Sequence, residues 1–151
     1  MLKLTRLISA CAIALFIGAA IVPVKPQAAD DASSQQQDAR VIYHINDSEG
    51  QALGALRSMR NHLDVAPGTE IVVVTHAEGI EFLTNDYPDT DEVAPLIAGL
   101  ASRGVIFEVC EITMDRMGLE PDDFLLEADF TPSGVKRLVD LQTEGYAYIK
   151  P

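Results

Sequence analysis

Short apolar runs alternate with helical patterns along most of this chain. Three runs rich in β-branched residues, at 41–45, 71–74 and 105–110, predict strands. They are apolar at consecutive positions, as in strands of a parallel sheet that is covered on both faces. Weaker strands are predicted at 128–130 and 146–149. The pattern therefore indicates a mostly parallel sheet of five strands.

Helical spacing of apolar residues fills the first two intervals between strands. Residues 51–63 place leucines and a methionine on one side of a helix. A second helix is predicted from Asp91, which can cap it, to Ser102, with Pro95 tolerated because it falls near the first turn.

Two more helices are predicted in the last third of the chain. Pro121 suits the first position of one helix, and Thr131-Pro132 begins the other. The last helix places Val135, Leu138 and Leu141 on one face. Strands that alternate with helices over short links predict right-handed crossovers and a three-layer α/β sandwich.

The first 29 residues differ sharply from the rest. Lys3 and Arg6 precede a nearly uncharged apolar run at 7–24, and Ala28-Ala29 supplies small residues at its end. This order is typical of a secretory signal peptide and predicts export to the periplasm. An uncleaved membrane anchor is the alternative, because the run is just long enough to span a bilayer. Residues 30–39 are polar and predict a disordered lead-in to a domain at 40–151.

Removal of the signal peptide changes the charge and the thiol content. Lys3, Arg6 and Lys25 leave with it and no acidic residue does, so eight basic residues remain against 23 acidic ones. Such a charge repels nucleic acid and anionic lipid, and we expect neither nucleic-acid binding nor stable membrane association after cleavage. Cys11 is also removed. Cys110 is then the single thiol, so no disulfide can form within the chain.

Polar and reactive residues follow the predicted strands at their carboxyl ends. In an open parallel sheet, sites gather at this edge. The candidate residues of the edge are Asn46, Asp47, His76, Glu78, Gly79 and Cys110.

Cys110 is the sharpest chemical candidate. A free cysteine is often a small buried apolar residue, and that interpretation stays open. A helical turn after the strand would instead lower the pKa of the thiol. Glu108 lies two residues earlier on the same face of the strand, and its carboxylate would oppose a thiolate. Arg116, His76 or a neighbouring subunit would have to offset that charge.

Other chemistries are less well supported. His44 and His76 could join Cys110 as zinc or copper ligands, but three residues on three strands are a weak pattern, and we expect neither metal nor cofactor. No GxGxxG or GxxxxGK[ST] sequence is present, which argues against a nucleotide-binding loop. The absence of a CxxC sequence excludes two-thiol redox chemistry within the chain.

Four segments resemble the DsrE/DsrF-like family, in its exported branch. They are VVVTHAEG at 72–79, VIFEVC at 105–110, TPSGV at 131–135 and LQTEGYAYIKP at 141–151. The resemblance implies a flavodoxin-like sheet and assembly into trimers or hexamers. It also implies that Cys110 carries a persulfide and exchanges sulfur with donor and acceptor proteins or with small sulfur compounds. The alternative is a non-catalytic assembly module with subunit contacts through Tyr146, Tyr148 and the helix that begins at Pro121.

Overall fold

The computed structural model describes residues 39–151. The expected signal peptide and all but the last residue of the expected lead-in lie outside these residues. Five strands form one sheet: β1 (Arg40–Asp47), β2 (Glu70–Glu78), β3 (Ile106–Cys110), β4 (Ala128–Thr131) and β5 (Ala147–Ile149). Four α-helices accompany them: α1 (Leu53–Val65), α2 (Thr90–Ala101), α3 (Glu111–Met117) and α4 (Gly134–Thr143).

Every strand pair in the sheet is parallel, and the strand order is β4-β3-β2-β1-β5. The chain therefore adds β2, β3 and β4 on one side of β1 and then returns to place β5 on the other side. The predicted flavodoxin-like, three-layer α/β sandwich with five parallel strands is confirmed.

The direction of these crossovers puts the helices on opposite faces. Side chains of α1, α2 and α3 pack on one face of the sheet in the larger apolar cluster, which includes Leu56, Ile97 and Met114. On the other face, Leu138 and Leu141 of α4 cover β1 and β2 in a smaller cluster. A right-handed crossover that reverses direction must change faces, which accounts for this division.

The second helix begins earlier than predicted. It starts at Thr90, after Asp89 rather than with Asp91 as its cap, and Asp89 makes no side-chain capping bond. Its start is held instead by the Thr90 hydroxyl, which donates to the carbonyl of Tyr87 at 2.6 Å. Pro95 consequently lies in the second turn rather than near the first.

The helix predicted from Pro121 is wrong. Only a 3-10 turn forms, at Pro121–Asp123. The backbone groups around it bond to a distant loop instead of to the next helical turn, because Asn85 donates to the carbonyl of Asp122 and Leu125 donates to that of Leu83.

The last helix starts at Gly134, with the Ser133 side chain accepting from the backbone of Lys136, and Thr131 belongs to β4. Val135 was predicted on the inner face with Leu138 and Leu141, but it is 61% exposed. Gly134 takes the inward position before Leu138, so Val135 points outward.

Within residues 39–151, no helix is both long enough and apolar enough to span a membrane.

Candidate functional site

β1, β2 and β4 extend further than predicted, whereas β3 and β5 each begin one residue later. Thr75 pairs with Val109, so the next residues, His76 and Cys110, lie side by side on neighbouring strands. Cys110 also pairs with Thr131 on β4. Because side chains alternate along each strand, these three project from the face that α4 covers.

Cys110 lies where the sheet changes the direction of its connections. The chain leaves β3 into α3 on one face and leaves β4 into α4 on the opposite face. Ligand sites of open α/β sheets lie at such switch points, outside the carboxyl ends of the strands. Along the edge that the sequence predicted, the favoured position for a site therefore lies between β3 and β4.

The surroundings of Cys110 are polar although the residue is only 5% exposed. Burial by itself raises the pKa of the thiol, but hydrogen bonds outweigh it, and the pKa lies below its ordinary value. The donors are the N–H of Gly134, the hydroxyl and N–H of Thr113, and the N–H of Ile112. Cys110 also belongs to neither apolar cluster of the domain. The hydrogen bonds therefore favour the thiolate more than burial disfavours it.

Gly134 allows α4 to approach the cysteine closely. A Cβ atom at this position would lie 3.3 Å from the Cβ of Cys110, 3.4 Å from that of His76 and 3.1 Å from the carbonyl oxygen of Thr75. These distances are tighter than most Cβ contacts. Glycine therefore keeps the first N–H of α4 next to the sulfur.

Glu108 was expected to oppose a thiolate at Cys110, and the structure shows what balances it. Glu108 is 8% exposed, and its carboxylate accepts from Nε of Arg137 on α4 at 2.8 and 3.0 Å. The same ion pair raises the pKa of Arg137. Arg116, proposed for this task from the sequence, lies exposed in the last turn of α3.

Two histidines and a tyrosine form a hydrogen-bonded chain beside Cys110. Nε2 of His44 lies 2.7 Å from Nε2 of His76, and Nδ1 of His44 lies 2.6 Å from the hydroxyl of Tyr148. Burial first, and then the charge of Lys150, lowers the pKa of both histidines, that of His44 to about 4. Both rings are therefore neutral at pH 7.

Lys150 closes this side of the site. Its ammonium group donates to the backbone carbonyl of His44 at 3.2 Å, to the Gln51 side chain at 3.0 Å and to the side-chain oxygen of Asn46. Burial lowers the pKa of Lys150, while the charge of Asp47 acts in the opposite direction. The sequence-predicted residue Asn46 thus orients a lysine and does not contact the cysteine.

The remaining predicted residues build the loops below the site. Asp47 accepts from the N–H of Gly50 at 3.0 Å and caps the turn that leads into α1. The carbonyl of Glu78 accepts from the Ser48 hydroxyl at 2.6 Å. At Gly79 a Cβ atom would lie 2.3 Å from the carbonyl oxygen of Ile45, so this turn requires glycine.

The two histidines considered as metal ligands lie next to each other. Within residues 39–151, no cluster of three or more His, Cys, Asp or Glu side chains could hold an ion. The Nε2 atoms of His44 and His76 bond to each other.

Sequence reasoning missed several residues that shape the site. Thr113 and Gly134 supply donors to the sulfur, Arg137 pairs with Glu108, and Tyr148 and Lys150 contact His44. One signal was available: Thr131-Pro132-Ser133-Gly134 places a capping serine and a glycine directly after a strand, which marks a helix start at the sheet edge.

The comparisons with known proteins agree with this architecture. The DsrE/DsrF-like family model matches residues 28–151. The chain belongs to the DsrE/DsrF-like family. This family is implicated generally in sulfur relay. No curated protein matches the sequence.

Two solved structures resemble this DsrE/DsrF-like chain. A protein of unknown function from Methanobacterium thermoautotrophicum, MTH1491, is 34% identical with a TM-score of 0.67, over 76% of this chain and 100% of its own. The ychN protein of Escherichia coli has a TM-score of 0.63 at 10% identity, over 75% of this chain and 99% of its own, and shows the shared fold.

Proposed function

We propose that this protein is a sulfur carrier of the periplasm, exported by residues 1–29, which holds sulfane sulfur as a persulfide on Cys110. The observation that carries the proposal is the set of donors around the cysteine. Backbone N–H groups from α3 and α4 and the hydroxyl of Thr113 meet at one sulfur and lower the pKa of its thiol. A thiolate is the form that attacks another sulfur atom.

The chemistry needs no cofactor. The Cys110 thiolate attacks the outer sulfur of a persulfide, R–S–SH. The S–S bond of the donor breaks and its electron pair leaves on R–S⁻, while a new S–S bond forms at Cys110. No net oxidation occurs. In the second step an acceptor thiolate takes the outer sulfur and Cys110 leaves as a thiolate, which its lowered pKa favours.

The surroundings favour a working thiol over a packing residue. Cysteines that only fill space lie among apolar side chains. Here the neighbours on the same face include His76, Thr131 and the Glu108–Arg137 ion pair.

The sulfur donor and acceptor, and a trimeric or hexameric assembly, remain predictions. Of the residues suggested for subunit contacts, Tyr146 is already engaged within the chain, with Glu70 as the acceptor of its hydroxyl and Arg40 over its ring.

Intact mass measurement tests the proposal. The full chain contains two cysteines, so the matched pair is Cys11→Ser and the double variant Cys11→Ser/Cys110→Ser. After treatment with an alkyl persulfide, we expect Cys11→Ser to gain one sulfur atom and the double variant to gain none. The gain should be removed by a thiol acceptor. Equal sulfur gain in the two variants, or none in Cys11→Ser, would refute a carrier role for Cys110.

A further inference from the structure

Three hydrogen-bonded side chains lie beside Cys110, and the proposed sulfur exchange does not use them. Tyr148, His44 and His76 come from β5, β1 and β2, and they are joined by hydrogen bonds of 2.6 and 2.7 Å. At one end, Tyr148 is 44% exposed to solvent. At the other end, His76 lies next to Cys110 on the same face of the sheet. These hydrogen bonds therefore run from an exposed tyrosine to the imidazole beside Cys110.

The protons on these three hydrogen-bonded side chains can take only two arrangements. In the first, the Tyr148 hydroxyl donates to Nδ1 of His44, Nε2–H of His44 donates to Nε2 of His76, and His76 carries its proton on Nδ1. In the second, every bond is reversed and Nδ1 of His76 is unprotonated. Two neutral rings with facing Nε2 atoms at 2.7 Å allow these two arrangements, because one ring must donate and the other accept.

Nδ1 of His76 is the free end of the chain. Among residues 39–151 it has no hydrogen-bond partner, and it is not a buried unsatisfied atom. The Cβ atoms of His76 and Cys110 both lie within 3.4 Å of one point, the position of a Cβ on Gly134. A molecule that reaches the Cys110 sulfur therefore comes close to this imidazole.

We propose that Tyr148, His44 and His76 form a proton relay, in which His76 protonates the thiolate that leaves the sulfur donor. The proposal rests on the sulfur-carrier function above. When the S–S bond of R–S–SH breaks, R–S⁻ takes the Nδ1 proton of His76. His76 receives a proton at Nε2 from His44, His44 receives one at Nδ1 from Tyr148, and a water molecule reprotonates Tyr148 and leaves as hydroxide. Charge and protons balance, and no oxidant is required.

The charged groups around the relay keep it neutral. Lys150, directly after β5, lies against His44 and disfavours a positive charge on either ring. The Glu108–Arg137 ion pair of β3 and α4 is internally balanced. His76 is then the catalytic residue of the relay, because it touches the leaving group. His44 and Tyr148 act through it as positioning residues.

The relay is tested by comparing two sulfur donors whose leaving thiols differ in acidity. The protein is the full chain with Cys11→Ser. The two donors are an alkyl persulfide, whose thiol is weakly acidic, and an aryl persulfide, whose thiol leaves without protonation. The measurement is the single-turnover rate of sulfur uptake, by quenched mass spectrometry. For the alkyl donor we expect Tyr148→Phe to be about 10-fold slower and His76→Gln roughly 100-fold slower, within the usual contribution of a general acid. For the aryl donor both variants should stay close to the parent chain.

The matched control is Tyr146→Phe, a neighbouring tyrosine that bonds to Glu70 and should change neither rate. Equal slowing with both donors, or no slowing, would overturn the relay and leave the carrier intact. If the parent chain takes up no sulfur from either donor, both the carrier proposal and the relay are refuted.

Nitrogen NMR of the unsubstituted protein tests the same proposal without a variant. At pH 7 the relay predicts two neutral rings that share one proton between their Nε2 atoms. A positively charged ring at His44 or His76 at this pH would overturn it.

Discussion

At the scale of single residues, Cys110 combines two properties that usually exclude each other. It is buried, which disfavours a thiolate, yet its sulfur receives hydrogen bonds that favour one. The hydroxyl of Thr113 is part of this balance. It accepts from the N–H of Ala77 at 3.3 Å, and its own hydrogen is then available to the sulfur.

Thr113→Val removes this hydroxyl and keeps the shape of the side chain. We expect the pKa of Cys110 to rise, and the alkylation rate at pH 7 to fall about 10-fold, because a hydrogen bond to a charged group is worth about 1.5–3 kcal/mol. Rates measured with iodoacetamide across pH check this. Thr143→Val is the control, since that hydroxyl bonds to the carbonyl of Val139 on the exposed side of α4. A variant with the profile of the unsubstituted protein would show that Thr113 does not act on the sulfur.

Residue pairs define the limit of what the sequence could predict here. Glu108 was recognised as a neighbour of Cys110 because strand periodicity fixes its face. Its partner could not be recognised, since Arg137 lies 29 positions away and reaches it only when α4 crosses the sheet. Pairing across elements leaves no local signal in one sequence.

At the scale of elements, patterns of apolar residues predicted the strands well and the helix ends poorly. All five strands overlap the predicted runs. The pattern is strong for β1, β2 and β3, which are buried at most positions, and weaker for the more exposed β4 and β5. The segment after Pro121 has a good helix start but bonds to residues 83–85 instead, which is a tertiary effect. Val135 was misplaced because its spacing from Leu138 also fits the inner face of a helix. Gly134 takes that inner position instead.

Close approach of α4 to β3 is the element-level feature on which the site depends. Gly134→Ala adds a Cβ that meets the carbonyl oxygen of Thr75 and the Cβ of Cys110. We expect the start of α4 to move away from the sulfur, with a higher Cys110 pKa, slower alkylation at pH 7 and a loss of about 1 kcal/mol in the free energy of unfolding. Alkylation kinetics and urea unfolding measure the two effects.

The control is Gly99→Ala, within α2, where an added Cβ meets no heavy atom within 4 Å. It should stabilise the domain by about 0.5–1 kcal/mol and leave Cys110 unchanged. If both glycine variants alkylate at the parent rate, the N–H of Gly134 is not what lowers the pKa of the cysteine.

At the scale of the whole molecule, the strand order sets the position of Cys110. The sheet grows from β1 to β4 in one direction and then reverses, so α3 and α4 leave neighbouring strands on opposite faces, on either side of Cys110. The sequence predicted the α/β class, and it predicted that the candidate residues lie at the carboxyl edge of the sheet. It could not predict the order of strands, and hence the switch point, because each crossover has the same local pattern.

The central claim is that Cys110 is a reachable thiolate in the folded domain, and native alkylation across pH tests it most directly. The full chain with Cys11→Ser is treated with iodoacetamide from pH 5 to pH 10, and modification of Cys110 is followed by mass, with a matched unfolded sample for reference. We expect the native protein to react without unfolding, with a midpoint below that of the unfolded chain. A cysteine that reacts only after unfolding, or with a midpoint at or above the unfolded value, would contradict the account.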